Sequence, residues 1–211
     1  MKNLYLKAIL LCFCLLASSK AFAYSALIRG IYYNFSGNKA VVTHKDVDYC
    51  SYSGSVVIPQ SVTYRGKTYR VTSIERGAFY ACRSLTSVTI PNSVTSIEEY
   101  AFQGCTSLKS ITIPNSVFSI EGNAFGGCSS LKSITIPNSV VFIGKDAFCD
   151  CSSLTDVWCY AEDVPYTTWS ASEDSSIPSA TLHVPAGSID AYKAKAPWID
   201  FGSIVAIEGK K

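Results

Sequence analysis

Of the 211 residues, 48% are hydrophobic and only 16% are charged, against about 25% charged in an average soluble domain; 30 Ser and 14 Thr fill the gap. Such a chain is not a disordered charged tail, which needs few apolar residues and a high net charge. With a formal charge of only +2 it also lacks the basic excess of a nucleic-acid binder.

The chain opens with Lys2 and Lys7, then an apolar run from Ala8 to Ala17, then Ala21-Phe22-Ala23 with small residues where a signal peptidase reads. Residues 1–23 are predicted to be a secretory signal, cleaved between Ala23 and Tyr24. The apolar run falls short of the roughly 20 residues that span a bilayer. Leu11 and Phe13 precede Cys12 and Cys14, where a lipid-bearing cysteine calls for a small residue, so lipid attachment is not expected. Removing the leader with its three lysines leaves 15 basic and 16 acidic residues, a charge of −1. No later segment is a transmembrane candidate, so a secreted or cell-envelope product is expected.

Residues 24–73 are predicted to form an N-terminal β cap and an entry repeat. Over Ala26–Thr43 the alternating apolar residues Leu27, Ile31, Tyr33 and Phe35 and the Ser36-Gly37-Asn38 turn predict a β-hairpin. Val56-Val57-Ile58-Pro59 is similar to the repeat strands that follow. Ile58 lies 16 residues before Ile74 rather than the repeat's 7, and the extra nine fit a second hairpin, Val62–Arg65 and Thr68–Thr72, turning at Gly66.

Residues 74–160 carry four units of 23 residues. Ile74, Ile97, Ile120 and Ile143 keep that spacing, as do Phe79, Phe102, Phe125 and Phe148, then Cys82, Cys105, Cys128 and Cys151, then Leu85, Leu108, Leu131 and Leu154. A strand-like piece recurs as Ser87-Val-Thr-Ile-Pro91, Ser110-Ile-Thr-Ile-Pro114 and Ser133-Ile-Thr-Ile-Pro137, and decays to Asp156-Val-Trp-Cys-Tyr160. Val88 and Ile90 share one strand face. Pro91 cannot donate to a ladder, so it ends the strand and sets a turn with Asn92. One unit cannot bury its own apolar stripe; stacked units bury it continuously. The pattern predicts a short right-handed repeat solenoid with parallel strands about 4.8 Å apart on one side.

Residues 161–211 are predicted to close the far end, because an open solenoid end exposes core. Ala180–Val184 reads as a strand, Ser188 as the cap of a short helix to about Lys195, and Trp198, Phe201, Ile204 and Ile207 as the plug. Glu162–Ser179 is polar and reads as a loop.

The motif Ile-x-x-x-Ala-Phe-x-x-Cys-x-Ser-Leu-x-Ser-Ile-Thr-Ile-Pro-Asn-Ser-Val resembles the BspA-type leucine-rich repeat of bacterial surface and secreted proteins. Val62-Thr-Tyr-Arg-Gly-Lys-Thr-Tyr-Arg-Val-Thr-Ser-Ile74 is similar to the family's entry repeat. Leu182-His-Val-Pro-Ala-Gly-Ser188, Ala191-Tyr-Lys193 and Trp198 resemble a closing segment seen in Bacteroidetes members. The resemblance implies a leucine-rich-repeat stack and a non-enzymatic, adhesin-like role toward a protein or glycan. The alternative is a passive envelope or matrix protein with no specific ligand.

Chemistry is sparse. The mature chain has seven cysteines, an odd number, so at least one is free or pairs between chains. The four repeat cysteines are predicted to be free core fillers. Parallel stacking holds their Cβ atoms near 5 Å apart, beyond the roughly 3.8 Å of a disulfide. Cys50 and then Cys149, at an outward position, are the expected reactive thiols. Cys149-Asp150-Cys151 lacks the ligands of a structural zinc site, since His44 and His183 both sit in the caps; no metal or cofactor is expected. Glu75, Glu98 and Glu121 are expected to stack as a solvated carboxylate edge. No Gly-x-Ser-x-Gly occurs, and no enzyme is indicated.

The outward positions that break the repeat are the candidate partner surface. Ser87/Thr89, Ser110/Thr112 and Ser133/Thr135 make a flat hydroxyl surface that ends at Asp156/Trp158. After the strands, Thr95 becomes Phe118 and then Val141, while Ser96 and Ser119 become Phe142. Phe118, Val141, Phe142, Thr112, Thr135 and Trp158 are therefore the candidate contact residues for a protein or glycan. The same aromatics are also accounted for if they fold beneath the C-terminal loop. A monomer is expected, with no nucleic-acid partner.

Overall fold

The structure, a computed structural model, describes residues 24–45, 50–167 and 177–208. The predicted leader lies outside the described residues, as does the middle of the predicted 162–179 loop.

Three antiparallel strands open the fold: β1 (Ala26–Ile28), β2 (Ile31–Ser36) and β3 (Lys39–Thr43). Gly37, at φ +62°, makes the tight turn between β2 and β3. Ile31 and Tyr33 face the core, whereas Leu27 is 52% exposed. β1 is an edge strand of three residues, and its register sets Ala26 opposite buried Tyr33, which turns Leu27 outward. β4 (Gly54–Val57) follows, then the expected hairpin of β5 (Ser61–Tyr64) and β6 (Lys67–Ile74). Its turn residues Arg65 and Gly66 both have positive φ, as a twist-matched two-residue hairpin requires.

The coils build two parallel sheets, where one was expected. The first runs β4, β7 (Leu85–Thr89), β9 (Ser110–Thr112), β11 (Ser133–Ile136), β13 (Asp156–Cys159), β15 (Thr181–Val184) and β16 (Ser203–Ala206). The second continues β3 and β6 through β8 (Ser96–Ile97), β10 (Ser119–Ile120), β12 (Phe142–Ile143) and β14 (Tyr166–Thr167). Strands of two residues leave too little alternation to be read from sequence, which is why the second sheet was missed. The Pro-Asn-Ser-Val segments make the corner between the sheets, and Val94, Val117 and Val140 each donate an N–H to the proline carbonyl three residues back. Ser116 and Ser139 of those corners donate to Val94 O and Val117 O of the preceding coil at 2.6 and 2.7 Å.

Between the sheets the repeat positions stack on themselves. Phe79, Phe102, Phe125 and Phe148 lie nearly parallel, with successive centroids 4.9, 5.2 and 5.7 Å apart. Cys105, Cys128 and Cys151 are buried thiols outside any disulfide, and each donates to the carbonyl of the Phe 26 residues earlier, at 3.1–3.2 Å. Cys82 departs from this: it is disulfide-bonded to Cys50, with Cα atoms 4.8 Å apart. The stacking argument weighed only neighbouring coils, whereas the bond comes from the cap. Twenty-six residues before Cys82 stands Val56, not a repeat Phe. Tyr52, two residues from Cys50, tops the ring ladder at 4.5 Å from Phe79.

At the far end Trp198 and Phe201 are buried as expected. The helix α1 is short, Ile189–Lys193, and Ser188 does not cap it; its hydroxyl instead donates to Glu162 O at 2.7 Å. The predicted 162–179 loop contains β14 and a 3-10 turn at Ile177–Ser179. β16, unforeseen, extends the first sheet beyond β15 through Ile204 opposite Leu182.

Candidate interaction surface

The two sheets separate the candidate residues into two groups, divided by the Pro-Asn-Ser corner. On the first sheet the outward rows are Ser110, Ser133, Asp156, Thr181 and Ser203, and beside them Thr112, Thr135, Trp158, His183 and Val205. Thr112 is exposed, while Thr135 and Trp158 are half-buried. Trp158 is not a free platform: His183 lies parallel to it with centroids 3.7 Å apart. His183 Nε2 is 2.8 Å from Asp156 Oδ1. That hydrogen bond, and a second donated by Thr155, hold the Asp156 carboxyl below the usual range.

On the second sheet Phe118, Val141 and Tyr166 form a column joined by backbone bonds: Phe118 N to Thr95 O, Val141 N to Phe118 O, and Tyr166 N to Val141 O, at 2.9–3.0 Å. They are 50%, 62% and 61% exposed. Phe142 is half-buried and stacks on Tyr166 at 6.0 Å. Phe118 and Val141 therefore stand in solvent rather than beneath a loop of the described residues. Tyr166 was not foreseen. It pairs with Phe142 across 24 residues rather than 23, and the Glu162–Pro165 stretch hides its strand; an aromatic next to Val-Pro was the only signal.

The thiols offer little reactivity. Cys50 is in the disulfide. Cys149 donates to Asn123 Oδ1 at 3.4 Å, and its thiol is pushed up to about 11, first by burial and then by the Asp150 and Asp146 carboxylates. At neutral pH it is protonated, which corrects its placement among the reactive cysteines. Of the carboxylate edge, Glu75 accepts from Asn34 Nδ2 at 3.2 Å and Glu98 from Ser96 Oγ at 2.7 Å, while Arg76 pairs with Glu99 at 2.7 Å. Among the described residues no group of three or more His, Cys, Asp or Glu side chains is arranged to hold a metal, and no helix is long and apolar enough to cross a membrane.

A family model described as the BspA type leucine rich repeat region matches residues 72–192 in 6 copies. A leucine rich repeat protein of T. pallidum is similar at 29% identity, with a TM-score of 0.63, over 78% of this chain and 72% of that one. A leucine-rich repeat protein from Bacteroides capillosus is 30% identical, with a TM-score of 0.54, over 64% of this chain and 98% of that one. Among curated proteins, none matches.

Proposed function

Because the chain belongs to the BspA-type leucine-rich repeat family, we propose that it is an exported, non-enzymatic binding module that offers its repeat surface to a protein or glycan. One observation carries this reading. Phe118 and Val141 stand exposed at a register where the preceding coils use Thr72 and Thr95, and exposed Tyr166, one register position over beside Phe142, extends them into an apolar column in solvent. A stack of this kind needs no aromatic there, and exposed aromatics in well-packed surroundings are the usual anchors of interfaces. Phe142, stacked on Tyr166, widens the column. Thr112, Thr135 and the edge of Trp158 form a secondary surface on the other sheet.

Export is supported by two independent features, the signal-like residues 1–23 and the Cys50–Cys82 disulfide, which suits an oxidising compartment. We place the functional body in residues 74–160, with residues 24–73 and 161–211 as caps.

The test is a panel of glycans and extracellular matrix proteins probed with immobilised residues 24–211. The reading expects saturable binding to a defined member of the panel. Uniformly absent binding favours the passive matrix protein instead.

A further inference from the structure

A second surface, separate from the apolar column, carries charge. Residues 24–83 hold eight basic and three acidic side chains, while residues 84–211 hold seven basic and thirteen acidic. The near-neutral total thus conceals a positive N-terminal end and a negative remainder. Within the positive end the β3–β6 register places Lys39 directly beside Arg70, and the β5–β6 register places Ser61 on Arg70's other side. Like charges opposite one another in a sheet are destabilising. Here both are exposed, and among the described residues neither forms an ion pair with a carboxylate.

Beside this pair is a recess of about 350 Å³, lined by Asn38, Gln60, Ser61, Thr68, Arg70 and Ser93. The residues around it carry one guanidinium, two primary amides and the hydroxyls of Ser61 and Thr68, with no carboxylate, while buried Ser93 spends its hydroxyl on Gln60 O. The frame behind it is tied down: Arg70 N donates to Asn38 O at 3.0 Å, Val71 N to Gln60 O at 2.9 Å, and Ser93 Oγ to Gln60 O at 3.3 Å. On the other face of the hairpin Lys67 lies over the Tyr69 ring and donates to Gly37 O, and Arg65 lies over Tyr64. These two cations add to the local field without filling the recess.

From this geometry we infer that the recess beside Arg70 and Lys39 binds an anionic sugar, a pyranose bearing a carboxylate or a sulfate ester, as part of an acidic glycan. The guanidinium fork matches either anion in a bidentate manner, and Lys39 supplies a second point charge. The amides and hydroxyls match the ring hydroxyls of a sugar, and the volume falls in the lower range of small-ligand sites. An acidic peptide satisfies the charges but leaves this array of neutral donors and acceptors unused. The inference goes beyond the proposed binding role of the apolar column and stands or fails without it.

Isothermal titration of the purified protein with a heparin-derived sulfated disaccharide, trigalacturonate, maltotriose and hexaglutamate tests it. At least one of the two acidic sugars is expected to bind, and which one does separates sulfate from carboxylate as the source of the anion. Maltotriose is expected to bind at least about tenfold more weakly, and Arg70→Gln to weaken the acidic sugar by about tenfold, the usual worth of a charged hydrogen bond. Arg70→Lys should fall between, Lys39→Gln should weaken binding in the same direction, and Lys109→Gln should leave it unchanged. Higher salt should weaken binding throughout. The inference is overturned if neither acidic sugar binds, or if maltotriose binds equally well. It is also overturned if Arg70→Gln with an unaltered melting temperature binds like the parent. Tighter binding of hexaglutamate than of either sugar replaces the glycan with an acidic peptide.

Discussion

The coils from Ile74 to Cys151 and the cap from Tyr24 to Ser73 bury comparable apolar groups by different means. In the coils every solution is local and repeated: ring over ring, thiol to the carbonyl one coil back, serine hydroxyl across the corner. In the cap nothing repeats. Tyr52 stands in for a Phe at the head of the ring ladder, and its hydroxyl donates to Thr43 O while accepting from Tyr32 N. Cys82, the first rung, has a covalent partner in Cys50 where later rungs have a carbonyl. A stack closes its interior by identical contacts, but its first unit meets no copy of itself. The end must be built from unique, long-range contacts, and here one of them is a covalent bond.

Three perturbations sharpen this contrast. The largest expected effect is Phe102→Ala, which removes a fully buried ring held between Phe79 and Phe125. It should cost about 3–5 kcal/mol, read by chemical denaturation, and the loss should spread to both adjacent coils. A denaturation curve that overlays the parent's would break the ladder assignment. Next is the double variant Cys50→Ala, Cys82→Ala. The bond closes a separation of 32 residues, so its loss should cost about 3–4 kcal/mol on the loop-entropy scale. By hydrogen exchange the cap should open before the coils; simultaneous opening would show that the two regions are one cooperative unit.

The smallest effect belongs to the C-terminal end. Because the Asp156 carboxyl is depressed mainly by its bond to His183, its contribution is present above the ordinary aspartate range near pH 3.9 and lost as pH falls through its lowered folded value. Asp156→Asn should therefore cost about 0.5 kcal/mol or less at pH 6, since the pair is partly exposed. The gap between parent and variant should close in acid. A gap that survives unchanged in acid strong enough to protonate Asp156 would contradict the pairing.

What was legible in the sequence follows the same division. The solenoid, the inward Phe, Cys and Leu columns and the prolines that end each strand could be read because one physical demand recurs at fixed spacing. The hairpin at Gly66 was legible from the nine residues in excess of the repeat spacing and the glycine among them. The Cys50–Cys82 bond was not, because argument from spacing compares a repeat only with its own copies, and Cys50 belongs to none. Tyr166 escaped because an insertion shifts it one residue off the period. Phe118 and Val141 were legible as breaks in a Ser/Thr column, but their exposure was not, since the same break fits packing beneath a loop. The Lys39–Arg70 row lay behind a balanced total charge, and only strand register brings residues 31 apart into one row.

The most direct test of the functional account is the double variant Phe118→Ser, Phe142→Ser, measured for both melting and binding to whichever partner the panel identifies. If the second-sheet column is the binding surface, the variant should melt close to the parent and bind at least about tenfold more weakly, as expected for the loss of aromatic anchors. A variant that binds normally but melts much earlier would contradict the account and assign both rings to internal packing.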